Sequence, residues 1–251
     1  MGKFENFLIC CDYDNTLTYN GIFSENNAEA VRSFRSEGGK FAVITGRNYR
    51  ATEEFRHLLA ADEYLATNFG TVLHKAGKVQ EAVFINVPVR ALISELSAEN
   101  NVASIGVFYS ESVVFFESIS EFDSNLPSTE NVTKVSVAYS VKGYSDTAIE
   151  IVKNRFGKYC ATSRISSSIV EIFNKNASKG VAALKLKELL KREILVCAGD
   201  SDSDIPMLDA ADIKVAPSTA AESVKNIADY VIENSKDGIL TRLLEILDNR
   251  E

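Results

Sequence analysis

Short apolar runs that end abruptly in polar residues recur along the chain. Phe7–Cys11 runs into Asp12, Phe41–Ile44 into Thr45-Gly46-Arg47, and Ile194–Ala198 into Gly199-Asp200. None of them alternates, and short unalternating apolar runs suit strands buried on both faces of a parallel sheet. Between the first two, Ser24 to Ser36 has helical spacing and stops at Gly38-Gly39, so the segment reads as a strand–helix–strand unit. Ligands of open α/β sheets bind beyond the carboxyl ends of the strands, which places the three polar ends at one edge. A fourth feature belongs with them. Ser178 is a good N-cap for a helix whose apolar face is Ala182, Leu186, Leu189 and Leu190. Lys179 then falls in the first turn, where the helix dipole disfavours a cation. A lysine there makes sense beside an anion.

The sequence between Thr45 and Lys179 is too long for one crossover and has its own pattern. Phe84–Val87 predicts a strand, and Pro88 predicts the start of a helix running to about Glu99. Ser104–Tyr109 and Ser112–Glu117 predict a hairpin. In Val132–Tyr139, Val135, Val137 and Tyr139 share one face. Asp146–Phe156 reads as a helix, and Lys158–Thr162 and Ser168–Phe173 as two further strands. The expected fold is therefore α/β: a Rossmann-like parallel sheet with helices on both faces, built from 1–81 and 171–251. An α+β domain, 82–170, is inserted into it.

Composition narrows the function. The 251 residues are 45% hydrophobic and 25% charged, as in soluble globular proteins. The formal net charge of −8 argues against a general nucleic-acid binder, which needs a basic surface. A small anionic substrate in a local positive pocket remains compatible with it. The first apolar run is too short for a signal-peptide core or a membrane span. Cys10, Cys11, Cys160 and Cys197 form no CxxC pair, and most sit in apolar runs, as buried reduced thiols do. A cytoplasmic protein is expected, with no membrane or nucleic-acid partner.

The chemistry gathers on aspartates. Asp12-Tyr13-Asp14 puts two carboxylates just past a strand, and Asp200, Asp202 and Asp204 follow another. Two acidic clusters at one sheet edge repel each other unless a cation lies between them. All-oxygen ligands select Mg²⁺ among abundant cations. His57 and His74 are the only histidines, and no nucleophile-elbow motif accompanies them, which disfavours a Ser-His-Asp hydrolase. Gly38-Gly39-Lys40 lacks the spacing of a Walker A loop.

These residues resemble, in order, the four motifs of the haloacid dehalogenase superfamily, in its Cof-like branch with an α/β cap. Asp12-Tyr-Asp14-Asn-Thr16 resembles the DxDxT motif, Thr45-Gly46-Arg47 the second motif, Lys179 the third, and Gly199-Asp200 through Asp204 the acidic fourth. The resemblance covers the core and implies phosphoryl transfer through an aspartyl-phosphate. It implies Asp12 as nucleophile and Asp14 as general acid–base. Thr45, Gly46, Arg47 and Lys179 would bind phosphate, with pairing to an acid equally open to Arg47. Mg²⁺ would be held by Asp12, the Asp14 backbone carbonyl and Asp200, with Thr16, Ser203 and Asp204 in support. Two departures stand out: Ser203 replaces the family's usual Asn in the fourth motif, and Ser218-Thr219-Ala220 replaces its usual Gly-Asn-Ala.

The expected function is hydrolysis of a small phosphorylated metabolite, with sugar phosphates the family's commonest class, by a monomer or homodimer. A hexose phosphomutase and a catalytically inert binding protein are the alternatives. A cap closing over the phosphate would read the leaving group, with Tyr139, Lys142 and Arg164 as polar candidates in the insert.

Overall fold

The computed structural model describes residues 2–56, 64–98, 101–126 and 128–249. The chain divides into two compact units. One comprises Met1–Arg47, Ala51–Gln80 and Ser178–Glu251, the other Asn48–Arg50 and Glu81–Ala177.

The first unit is built on an eight-stranded sheet. Its order is Tyr230–Ile232, Ile213–Pro217, Ile194–Ala198, Phe7–Cys11, Lys40–Ile44, Leu65–Thr67, Val72–Lys75, Lys78–Ala82. From Tyr230–Ile232 through Leu65–Thr67 neighbours run parallel, and Val72–Lys75 then turns back antiparallel. Register explains why the central runs do not alternate. Cys10 lies between Cys197 and Ala42, and this row packs with Leu8, Ile44 and Leu195 against Ala182, Ala183 and Leu186 of the helix Lys179–Leu190. The oppositely directed Ile9, Phe41 and Val43 are equally buried. On that side the helix Glu25–Ser36 packs on Lys40–Ile44 and on the C-terminal helix Leu240–Asp248. A strand covered on both faces gains burial from every side chain, so no position favours a polar residue. The polar residues return where the strands stop.

The second unit holds a five-stranded antiparallel sheet in the order Cys160–Ser166, Ile169–Asn174, Lys134–Tyr139, Val102–Phe108, Val113–Phe116. Val135, Val137, Tyr139, Ile105, Val107, Val170 and Ile172 form its apolar face. They pack against the helices Val89–Leu96, Ile119–Asn125 and Tyr144–Phe156. Phe116 is buried in this core while its neighbour Phe115 is exposed, as a two-residue period requires.

Three expectations change. Phe84–Val87 is not a strand. Ile85 donates one hydrogen bond to the Val132 carbonyl (2.7 Å) and Phe84 accepts one from Asn174 Nδ2 (2.6 Å), without a ladder. The strand is instead the polar Lys78–Ala82, the last in its sheet, where solvent tolerates charge. The second boundary of the insert falls at Ala177/Ser178 rather than 170/171, because Ile169–Asn174 pairs on both sides within the five-stranded sheet. The helix after Pro88 ends at Leu96, with Ser97 Oγ donating back to the Ile93 carbonyl; Glu99 lies outside the described residues, as does His57. No helix among the described residues is long and apolar enough to cross a membrane.

Candidate active site

The site assembles from strand ends and one helix start. Asp12 extends the central pairing by one residue, its N–H donating to the Ala198 carbonyl at 2.9 Å. The chain then turns sharply. Asn15 takes a left-handed φ of 56°, which asparagine tolerates better than most residues. Its N–H is held by Thr18 Oγ1 at 2.9 Å.

Lys179 enters from the helix that Ser178 caps, with Ser178 Oγ accepting from the Val181 N–H at 3.1 Å. Its ammonium donates to Asp12 Oδ1 at 2.7 Å and to Asp204 Oδ1 at 2.6 Å, and only 3% of the residue is exposed. This is the anion expected beside that helix start. The other oxygen of Asp204 accepts from the N–H groups of Asp200 (3.1 Å) and Ser201 (3.0 Å) and from Ser201 Oγ (3.1 Å). Asp204 therefore ties Lys179 to the turn that carries Asp200. Gly199 is required in that turn, because a Cβ would stand 2.5 Å from Asp204 Cγ. Asp200 Oδ1 accepts from Thr16 Oγ1 at 3.2 Å, which links the turn back to the Asp12 loop. Ser203 Oγ pairs with Ser201 Oγ at 2.9 Å.

Charge in this cluster does not balance. Oxygens of Asp12, Asp200 and Asp204 lie within 4.8 Å of one another, and Lys179 is the cation that bridges two of them. Burial pushes the Asp12 carboxyl well above its ordinary range; Lys179 opposes this, and Asp204 and Asp200 add to it. Burial, then Asp204, push Asp200 up to about 6, with Lys179 and the Thr16 and Asn15 side chains opposing. Burial alone would lower Lys179, but the two carboxylates outweigh it and hold the ammonium above its usual value. Crowded oxygens with excess negative charge fit a hard divalent cation such as Mg²⁺. Both oxygens of Asp204 already serve Lys179 and the turn, so Asp12 and Asp200 are the carboxylates suited to such an ion.

The second motif engages the second carboxylate of the first. Arg47 grips Asp14 through two parallel hydrogen bonds, Nε to Oδ2 at 2.8 Å and Nη2 to Oδ1 at 2.6 Å. Its Nη1 reaches Glu54 Oε1 at 2.5 Å and the Ala51 carbonyl at 3.2 Å. The guanidinium lies 5.0 Å from the centre of the Tyr13 ring, and Tyr13 stacks on Phe55 with centroids 3.8 Å apart. Of the two uses open to Arg47, phosphate or an acid, the structure shows it paired with Asp14 and Glu54. Thr45 is fully buried; its Oγ1 accepts from the Arg47 N–H at 3.1 Å. Gly46 leaves room for Phe69, whose ring would sit 2.7 Å from an added Cβ.

Some residues lie elsewhere. Tyr139 is in the core of the second unit, its hydroxyl donating to the Leu96 carbonyl at 3.3 Å. Arg164 is ion-paired with Asp146, and Lys142 is exposed. Asp202 is an exposed loop carboxylate that accepts from Ser223 Oγ at 2.5 Å. His74 is buried against Thr67 Oγ1 (3.1 Å). Asn234 lies beyond the acidic fourth motif, after the strand Tyr230–Ile232, and its residue type carries no signal of the contacts it makes. Its amide reaches the carbonyls of Asn15 (2.8 Å) and Thr18 (3.2 Å).

The profile of the haloacid dehalogenase-like hydrolases matches residues 9–243. The chain is 24% identical to a 5-amino-6-(5-phospho-D-ribitylamino)uracil phosphatase of Bacillus subtilis, over 95% of this chain and 97% of that one. It is 28% identical to a phosphoglycolate phosphatase of Saccharolobus solfataricus, over 96% and 91%. A haloacid dehalogenase-like hydrolase of Bacteroides thetaiotaomicron has the same fold, with a TM-score of 0.81 at 20% identity, covering 97% of this chain and all of that one.

Proposed function

Because the chain belongs to the haloacid dehalogenase-like hydrolases and is a phosphatase of phosphorylated substrates, we propose that it is a Mg²⁺-dependent phosphomonoesterase working through a phosphoryl group on Asp12. The observation that carries this reading is Lys179 clamped between Asp12 and Asp204 beside Asp200.

A carboxylate is a suitable nucleophile because it needs no activating base. Asp12 attacks phosphorus; the bond from phosphorus to the ester oxygen breaks; the departing alkoxide takes a proton from Asp14. Asp14 then draws a proton from the water that attacks the acyl phosphate, releasing orthophosphate and restoring Asp12. Mg²⁺ held by Asp12, Asp200 and the Asp14 backbone carbonyl would shield the negative charge of nucleophile and phosphate from each other. Lys179 and Thr45 hold phosphoryl oxygens and stabilise charge in the transition state. Arg47 fixes the Asp14 carboxylate; Thr16 orients Asp200; Ser203 and Asp204 hold the turn.

The substrate we propose is a small phosphorylated polyol or sugar. The Bacillus relative is named for a phosphoribityl substrate. A panel of phosphate esters assayed for orthophosphate release with Mg²⁺ tests the reading. Release from sugar or polyol phosphates is expected, and silence across the panel contradicts it.

A further inference from the structure

The loop that carries Asp12 and Asp14 is held from behind by two buried asparagines. Asn234 follows the strand Tyr230–Ile232 and is 5% exposed. Its Nδ2 donates to the carbonyls of Asn15 at 2.8 Å and Thr18 at 3.2 Å, and lies 3.3 Å from Thr219 Oγ1. Its own N–H donates to Ser218 Oγ at 3.0 Å. Asn27, fully buried on the helix Glu25–Ser36, donates through Nδ2 to the Leu17 carbonyl at 3.0 Å. Asn27 Oδ1 accepts from the Leu240 N–H at 3.0 Å. Between Asn234 and Leu240 the chain passes Gly238, with φ of 75°, so close to Asn27 that a Cβ would meet Oδ1 at 2.4 Å.

The carbonyls of Asn15, Leu17 and Thr18 are thus each taken by an amide tied to the segment 234–240. The same loop sends Thr16 Oγ1 and the Asn15 side chain forward to Asp200. A carboxamide suits this task, since one planar NH₂ spans two carbonyls in a fixed direction. Buried carbonyls left without donors would relax toward other partners and move the loop.

We propose that Asn234 is a positioning residue for the reaction. By fixing the Asn15 and Thr18 carbonyls, it sets the turn that presents Asp14 to the leaving group and the Asn15 and Thr16 donors to Asp200. The inference rests on the phosphatase reading above for its kinetic consequence, but its geometric part is independent of it.

The test compares the full-length protein with Asn234→Ser, Asn234→Ala and Asn234→Asp, with Leu243→Ala as a control that loosens the C-terminal helix in the core. Folding is checked by thermal melts. In metal-free protein, amide exchange of the peptide spanning 12–19 is expected to speed up in the Asn234 variants and not in the control. By calorimetry the Mg²⁺ Kd is expected to rise. With p-nitrophenyl phosphate kcat falls roughly ten-fold or more, KM changes less, and the loss is graded from Ser through Ala to Asp. Asn234→Ser keeps one hydroxyl donor, so it is the variant to use if the others do not fold. A folded Asn234→Ser protein with unchanged exchange at 12–19 and unchanged kcat overturns the proposal. So does a loss of kcat matched by Leu243→Ala. A wild-type protein that binds Mg²⁺ but hydrolyses no ester contradicts the phosphatase reading instead, and the exchange and Mg²⁺ measurements still decide the role of Asn234.

Discussion

Arg47 holds both oxygens of Asp14 in one planar grip, at 2.8 and 2.6 Å. The Asp14 side chain is itself 46% exposed, so burial does not hold it; the guanidinium, braced by Glu54 and the Tyr13 ring, does. In the proposed reaction Asp14 hands a proton to the leaving oxygen, and such a group gains from a fixed direction as much as from basicity.

Lysine cannot reproduce this grip, because its ammonium is a point donor without a fork. Arg47→Lys is therefore expected to lower kcat by about 10–100-fold with a smaller change in KM. Steady-state kinetics on one ester check this; an unchanged kcat would mean that Asp14 needs no orienting partner.

Asp200 is pushed up to about 6 by burial and by Asp204. A carboxyl whose folded value lies above its unfolded value binds protons more readily when folded. Its ionisation therefore costs stability as pH rises from its ordinary 3.8 to about 6, and the whole cost is present at pH 7. Asp200→Asn removes that cost. The metal-free variant is expected to be more stable at pH 7 by on the order of 1–3 kcal/mol, while losing the stabilisation that Mg²⁺ gives the wild type. Denaturant unfolding with EDTA and with Mg²⁺ reads both effects.

The buried His74 is held down to about 4 by burial, with Arg56 adding to it. Its folded value lies below the ordinary 6.5, so the unfolded chain binds the extra proton. The stability this neutral ring preserves is fully present above pH 6.5 and is lost as pH falls toward 4. Unfolding free energies at pH 7 and pH 4.5 should differ less in His74→Gln than in the wild type, by on the order of 1–3 kcal/mol. Equal differences would remove His74 from the account.

Within the second unit, Lys134 is 2% exposed and pairs with Glu171 at 2.7 Å, over the Phe108 ring at 4.2 Å. Glu171→Gln takes one charged acceptor away from that buried ammonium and is expected to cost on the order of 1–3 kcal/mol. Replacing both partners, as Lys134→Met with Glu171→Leu, is expected to recover most of that loss. Urea unfolding of the three proteins decides it.

Sequence alone disclosed the parts of this molecule governed by local rules. Strands buried on both faces announce themselves as unalternating apolar runs, so Phe7–Cys11, Lys40–Ile44 and Ile194–Ala198 were readable to within a residue. Lys179 was readable because a cation in a helix's first turn demands an anion. Lys78–Ala82 was not, since a polar strand at the end of a sheet carries no periodic apolar signal. Arg47 was readable only as far as two choices: guanidinium serves phosphate and carboxylate with the same fork, and only folding brings Asp14 and Glu54 to it. Asn234 was hidden for a related reason. It acts on backbone carbonyls, which every residue has, so no neighbouring side chain marks its place.

The central claim is that Asp12 carries the phosphoryl group. The protein should be mixed with a good ester, quenched in acid, reduced with borohydride and mapped by mass spectrometry. Reduction of an acyl phosphate leaves homoserine in place of aspartate, and the account predicts that change at position 12, in the wild type and not in Asp12→Asn, which should also show no turnover. Homoserine at any other aspartate, or full turnover by Asp12→Asn, would contradict it.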